Sequence, residues 1–181
     1  MTDYEVKVRN NIKHLGKLLG FEVETEWSPS TFKKKSRKEF YVPRIDVVWF
    51  KRCSPQFIDF LAMFKDQKVL DPYRDIEKEI IIGFELELTQ RPTKYILGDI
   101  SNLSRLCNYS FIVIKDIGNL VKRSIKASQA FSLLYGTSNV LVVDPEKLGD
   151  IIEKFASKLQ IPKDRLLQYV SLWSFWPSSF F

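Results

Sequence analysis

Three carboxylates, divided between two segments of the chain, have the residue types and the spacing of a metal site. Asp46 lies in Arg-Ile-Asp-Val-Val-Trp-Phe (44–50), and Glu85 and Glu87 lie in Gly-Phe-Glu-Leu-Glu-Leu-Thr (83–89). Both segments are typical of β-strands, in which residues two apart share a face. Acids in an otherwise apolar strand are usually paired or bind a cation. If the two strands are neighbours, the three acids converge as oxygen ligands for a hard divalent metal ion.

The ordinary alternative for the two glutamates is the polar, solvent-exposed face of an edge strand. The run Ile80-Ile81-Ile82 directly before them favours a central strand instead, because such strands are buried on both faces. Asp46 alone is uninformative, since an aspartate at a strand end is commonly a turn or cap residue. Its value comes from its position relative to Glu85 and Glu87.

The elements that must position these acids follow from the hydrophobic periodicity and the helix-ending residues. Asp46 and the glutamates fall on the second and third strands. The predicted elements are a helix at 4–19, strands at 21–27, 41–50 and 80–89 with a helical insertion within 53–79, and then helix and strand in alternation at 93–105, 109–115, 120–135, 139–143 and 144–159. This αβββαβαβα order predicts an α/β fold with a central mixed five-stranded sheet flanked by helices. We expect one domain at 1–160 and a helical, aromatic tail at 161–181.

Composition restricts the class of protein and its partners. The chain has 181 residues, 45% of them hydrophobic and 28% charged, which is typical of a soluble globular domain. No apolar run is long enough to cross a bilayer and the N-terminus lacks the apolar core of a signal peptide, so we expect a cytoplasmic, intracellular protein without a membrane partner. The net charge of +6 favours an anionic partner such as nucleic acid, although a basic surface can also serve solubility alone.

The order of elements, with one acid on the second strand and an acid pair on the third, resembles the PD-(D/E)XK nuclease superfamily, which has the restriction-endonuclease-like fold. The resemblance covers about residues 4–160 and includes two short motifs. Asp46, in Pro-Arg-Ile-Asp (43–46), looks like the first acid of the family, although the proline stands three residues before it. Glu85-Leu-Glu87 takes the place of the (D/E)-X-K tripeptide, with Glu87 where lysine usually stands. This Glu-X-Glu variant is similar to that of some Type II restriction enzymes.

The resemblance implies a metal-dependent nuclease that hydrolyses DNA phosphodiester bonds with Mg²⁺ or Mn²⁺. Asp46, Glu85 and Glu87 are then the expected metal ligands and catalytic acids, with Glu87 as a ligand or as general base through a water. Lys94, which opens the helix after the acid-bearing strand, is the expected substitute for the missing lysine. An equally ordinary interpretation of Lys94 is a solvated lysine in the first turn of a helix.

Substrate contacts are expected from basic side chains near the Asp46 strand. The densest cluster lies in the preceding loop, and Arg44 stands two residues before Asp46; the predicted nucleic-acid-binding residues are Lys33, Lys34, Lys35, Arg37, Lys38 and Arg44. Runs of basic residues such as 33–38 are most often solvated loops. The aromatic tail Trp-Ser-Phe-Trp-Pro-Ser-Ser-Phe-Phe (173–181) is expected either to pack on the domain core or to form a homodimer contact.

The competing hypothesis is a nucleic-acid-binding or assembly protein that keeps the nuclease fold but has lost cleavage. The missing tripeptide lysine supports this alternative. A third hypothesis is a metal-free structural domain in which the acids pair with Arg44 or Lys94.

Overall fold

The computed structural model describes residues 2–29, 42–63, 77–89, 92–115, 119–136 and 139–158. The helices and strands in these ranges follow in the order α1 Asp3–Leu18, β1 Glu22–Trp27, β2 Ile45–Arg52, α2 Pro55–Ala62, β3 Lys78–Glu87, α3 Thr93–Leu106, β4 Tyr109–Ile114, α4 Leu120–Tyr135, β5 Val140–Val143 and α5 Pro145–Lys158. None of the helices in the described ranges is long and apolar enough to cross a membrane.

The five strands form one mixed sheet in the order β1-β2-β3-β4-β5. The first three strands are antiparallel neighbours, and β4 and β5 follow parallel to β3. The α/β architecture with a mixed five-stranded sheet flanked by helices, which the element order predicts, is therefore confirmed. Because β3 lies in the middle of the sheet, the alternative that its two glutamates face solvent from an edge strand is wrong.

Helices cover both faces of the sheet and define two apolar layers. On one face α3 and α4 contribute Ile96, Ile100, Leu103, Leu120 and Ala127, and on the other α1 and α5 contribute Val8, Ile12 and Leu148. In α1 and α3 these residues recur three or four positions apart, so each helix buries one stripe. Burial of the two stripes is the main term that stabilises the helices on the sheet.

The first helix is capped at its N-terminus and contacts Trp49 of β2 in its C-terminal half. Thr2 caps its N-terminus by accepting a hydrogen bond from the Glu5 amide at 3.2 Å. Gly16 lies against the indole of Trp49, and an added Cβ at this glycine would come 2.6 Å from Trp49 Nε1. The same indole donates a hydrogen bond to the Ile12 carbonyl at 3.1 Å. The C-terminal half of α1 is therefore fixed relative to β2.

The two cysteines of the chain have different environments. Both are free thiols, Cys53 half-buried and Cys107 buried at the end of α3. Burial raises the pKa of the Cys107 thiol to about 12, and its hydrogen bond with Ser110 acts in the opposite direction. Since the thiolate is the nucleophile, a thiol with this pKa is inert near neutral pH.

We expect a thiol reagent at pH 8 to modify Cys53 in the native protein and to reach Cys107 only after unfolding, with rates at least about 100-fold apart. Colorimetric titration with a disulfide reagent, before and after adding guanidinium chloride, measures both thiols. Cys53→Ser is the control and should leave no rapidly reacting thiol. Rapid reaction of native Cys53→Ser would contradict the placement of Cys107.

Candidate active site

The structure brings the first two predicted acids together. Asp46 is the second residue of β2, and β2 pairs directly with β3, which carries Glu85. One oxygen of Asp46, Oδ2, accepts a hydrogen bond from the Leu86 amide at 2.9 Å. The Glu85 and Asp46 side chains are also hydrogen-bonded to each other. Two carboxyl groups from adjacent strands therefore share one position near the carboxyl end of β3.

Glu85 lies in an environment that strongly disfavours its charge. It is 7% exposed, and it is paired in register with Ile112, a member of the apolar layer under α3. Burial raises the pKa of Glu85 well above its ordinary value, and the negative charges of Asp46, Asp99 and Glu87 raise it further. When Glu85 is protonated, its carboxyl group can donate the hydrogen bond to Asp46, and that proton reduces the repulsion between the two acids.

Glu87 lies on the same face of β3, two residues further along, and is only 2% exposed. Its register partner on β4 is Ile114, so it too faces the apolar layer under α3. Within the described ranges, no group of three or more histidine, cysteine, aspartate or glutamate side chains is close enough to hold a metal ion. The structure thus brings Asp46 and Glu85 into direct contact, with Glu87 as a nearby charge rather than the third member of a preformed cluster.

A fourth acid, Asp99 on α3, belongs to the same electrostatic environment. Its negative charge is one of the causes of the raised pKa of Glu85. This residue was not predicted from the sequence, although its spacing within α3 carries a signal. Ile96 and Leu103 lie on the buried side of α3, and Asp99 falls between them at helical spacing, so it must face the sheet.

A cation from α1 contacts the acid pair, and it was not predicted from the sequence. The Arg9 guanidinium is 12% exposed and contacts Asp46, with 3.1 Å between Arg9 Nη2 and Asp46 Oδ1. Its Nη1 donates a hydrogen bond to Glu26, and its Nη2 lies 3.9 Å from a Glu5 oxygen. These partners raise the pKa of Arg9, against the opposing effect of its burial. The sequence does carry a signal for Arg9. Glu5 and Arg9 are four residues apart on α1, which predicts an ion pair, and Arg9 follows the buried Val8.

Arg44, which the sequence predicts as a nucleic-acid contact, is an exposed side chain directly before β2. Its Nε lies 2.9 Å from Oε2 of Glu26, so Glu26 bridges Arg44 and Arg9. Glu26 has a φ of 52°, in the left-handed region that is unusual for a residue other than glycine. This backbone conformation interrupts the β1 pairing between Thr25 and Trp27, next to the position of Asp46 on β2.

Lys94 is in the first turn of α3, where the sequence predicts it, and its side chain is exposed. Its Nζ lies 5.2 Å from the centroid of the Tyr95 ring, which is a cation–π contact at the helix surface. The contact with Tyr95 is the ordinary solvated arrangement of a first-turn lysine. The predicted phosphate-binding residues Lys33, Lys34, Lys35, Arg37 and Lys38 lie outside the described residues, as does the tail at 161–181.

Comparison of the chain with protein-family models, with curated proteins and with solved structures finds no match. The function must therefore be inferred from the site itself. Three features of that site can do chemistry: a hydrogen-bonded acid pair in the middle of the sheet, two further acids that raise the pKa of one member, and an arginine held against the other.

Proposed function

We propose that this protein is a divalent-metal-dependent nuclease with the restriction-endonuclease-like fold, and that it hydrolyses DNA phosphodiester bonds. One observation carries the proposal: Asp46 and Glu85 meet as a hydrogen-bonded pair on adjacent central strands. A buried acid in contact with a partly buried one is costly for a fold, and a proton or a cation must compensate the pair. Such costly arrangements are characteristic of functional sites.

The residues present fit a magnesium or manganese ion. Oε1 of Glu85 is buried and has no hydrogen-bond partner among the described residues, although its carboxyl group bonds to Asp46. A buried carboxylate oxygen in this state is a ready ligand for a hard cation. Mg²⁺ retains several waters and needs only one or two carboxylates from a protein. Asp46 and Glu85 therefore suffice as ligands, even though Glu87 is not part of a preformed cluster.

Hydrolysis of a phosphodiester requires an activated water and stabilisation of the negative charge on the scissile phosphate. A bound Mg²⁺ or Mn²⁺ supplies a Lewis acid and lowers the pKa of a water ligand. In this proposal Asp46 and Glu85 hold the ion, and Glu87, further along the same strand face, accepts the proton of the attacking water. The exposed Arg44 contributes a phosphate contact beside the site, together with the basic run at 33–38.

A second function is favoured by one specific observation. Arg9 already compensates the charge of Asp46 in the absence of a metal ion. An acid that is permanently neutralised by an arginine is compatible with a nucleic-acid-binding or assembly protein that keeps the fold without cleavage. DNA is the expected partner in both cases. A homodimer stays a separate prediction, because the aromatic tail that suggests it lies outside the described residues.

A cleavage assay separates the two functions. Supercoiled plasmid, single-stranded DNA and branched DNA are incubated with the protein in Mg²⁺, in Mn²⁺ or in EDTA, and the products are resolved on gels. We expect cleavage only with metal, and a loss of at least about 100-fold in Asp46→Asn, since even indirect support of a metal ligand is worth 10–100-fold. Lys94→Ala tests the separate role of that lysine. Failure to cut any substrate, or cutting that survives Asp46→Asn, would sink the nuclease proposal.

A further inference from the structure

Arg9 occupies the place that a cation needs if Asp46 is a metal ligand. The Asp46 carboxylate has two oxygens, and each of them is engaged. Oδ2 accepts the Leu86 amide hydrogen at 2.9 Å, which is a backbone contact within the sheet. Oδ1 lies 3.1 Å from Arg9 Nη2, which is a contact with a side chain. Only the second contact can be released without disturbing the pairing of β2 and β3.

We propose that Arg9 is the catalytic cation of this site and that it leaves Asp46 when a divalent metal ion binds there. The inference rests on the proposed nuclease function and identifies the group that replaces the missing lysine. In the metal-free state Arg9 neutralises Asp46. In the metal-bound state the released guanidinium binds the substrate phosphate next to the acids.

Electrostatics favour the exchange. A guanidinium and a divalent ion on the same carboxylate repel each other, and the repulsion is strong because the Arg9 and Asp46 side chains are only 12% and 15% exposed. Arginine cannot lose its proton at any pH that the fold survives, so it must move rather than become neutral. Glu26 and Glu5 also contact Arg9, and they keep the displaced side chain near the site and compensated.

Arg9 suits the role better than Lys94 for two reasons. Its guanidinium already touches the acid pair, whereas the Lys94 ammonium lies at the surface over Tyr95. A planar guanidinium also presents two parallel N–H donors that match the oxygens of a phosphate. Glu26 and Glu5 also contact it, so the guanidinium stays beside the site after it leaves Asp46 and can stabilise charge that develops on the phosphate.

The experiment measures Mn²⁺ affinity by isothermal titration calorimetry in the wild type, Arg9→Gln, Arg9→Lys and Arg52→Gln. Arg52 is the matched control, because it is an exposed arginine that pairs with Glu22 at the opposite end of β2. We expect Arg9→Gln to bind Mn²⁺ roughly tenfold more tightly, since a competing cation is gone. Arg9→Lys and Arg52→Gln should remain within about threefold of the wild type.

DNA cleavage at saturating metal gives the second readout. Arg9→Gln should cut at least about 100-fold more slowly than the wild type although it binds metal more tightly, with Arg9→Lys in between. A residue with a merely structural role does not produce tighter metal binding together with slower cleavage. A third readout is made on the wild type: the guanidinium Nε–Hε NMR signal of Arg9, assigned by its loss in Arg9→Lys, should shift when Mg²⁺ is added.

The outcomes distinguish this inference from the proposed function. The Arg9 inference is overturned if Arg9→Gln binds metal no more tightly than the wild type, or if the Arg9 NMR signal does not shift when Mg²⁺ is added. If the wild type still cleaves DNA in that case, the proposed nuclease function stands. Tighter binding in Arg9→Gln by a protein that cuts no DNA supports the metal exchange, but it overturns both the nuclease function and the catalytic role of Arg9. Absence of Mn²⁺ binding in every variant overturns both.

Discussion

Replacing Glu85 with glutamine is expected to make the metal-free protein more stable at neutral pH and to abolish cleavage. The raised pKa of Glu85, caused first by burial and then by the charge of Asp46, means that the folded state holds a proton that the unfolded state releases. Folding above the ordinary glutamate pKa of 4.5 therefore takes up a proton, and stability falls as pH rises from that value toward the folded pKa. Below pH 4.5 both states are protonated and this loss disappears.

Glutamine has the shape of the protonated acid and can donate the same hydrogen bond to Asp46. The variant avoids the cost of taking up a proton, so we expect a gain of about 1–2 kcal/mol at pH 7–8 in EDTA and a flatter dependence of stability on pH. A neutral amide is a poor ligand for Mg²⁺ or Mn²⁺, so cleavage should fall by at least about 100-fold. A substitution that raises stability and lowers activity indicates a functional site that destabilises the folded state.

Urea denaturation between pH 4 and pH 8 measures the first effect, and plasmid cleavage measures the second. Glu79→Gln is the matched control: Glu79 lies near the start of the same strand, is exposed, and accepts a hydrogen bond from Asn108 at 2.9 Å. Its replacement should change stability by less than about 0.5 kcal/mol and leave cleavage intact. If the stability of Glu85→Gln depended on pH as steeply as that of the wild type, the raised pKa of Glu85 would not be the cause of that dependence.

Replacing Gly83 with alanine is expected to cost about 2–3 kcal/mol of stability. Gly83 lies on β3 directly under the end of α3, and an added Cβ would overlap Cys107 Sγ and come 2.9 Å from Leu103 Cδ2. Both neighbours are buried in the apolar layer between α3 and the sheet, at 6% and 0% exposure, so neither has free space to move into. The methyl group must push α3 away from the strand that carries the acids.

A double-mutant cycle tests this cause. Gly83→Ala combined with Cys107→Ala removes the sulfur from the overlap and should recover about half of the lost stability, which an unrelated defect in the strand would not allow. Gly98→Ala is the control, since an added Cβ at that helical glycine meets no atom of the described residues within 4 Å. It should stabilise the protein by about 0.5–1 kcal/mol through helix propensity alone. Equal effects of the two glycine substitutions in urea denaturation would refute the close-approach explanation.

The close approach at Gly83 matters for the site as well as for stability. It allows α3 to lie directly on β3, and α3 carries Asp99 toward the same face as Glu85. The acid environment that raises the pKa of Glu85 therefore depends on a glycine two residues away along the strand. A glycine inside an apolar strand can signal such an approach, but the sequence alone does not say which helix makes it.

The sequence by itself determined the elements and the central position of the acid-bearing strand, because hydrophobic periodicity and the run of isoleucines before Glu85 depend only on neighbouring residues. It also placed Asp46 and Glu85 on strands that proved to be adjacent. Only the tertiary structure decided which charges surround them. Arg9 belongs to α1 and Asp99 to α3, so neither is close in sequence to Asp46. Arg9 and Asp46 are 37 residues apart, and no local pattern predicts their contact.

The physical reason is that side-chain pairing depends on where helices dock, and docking is determined by packing of whole surfaces rather than by any local pattern. Because Lys94 follows β3 closely in sequence, it was the expected substitute for the missing lysine. In the structure it lies in the first turn of α3 with its side chain exposed to solvent. The third acid shows the same limit. Spacing put Glu87 on the face of Glu85, but in the described ranges these two glutamates and Asp46 do not form a group of three acids that could hold a metal ion.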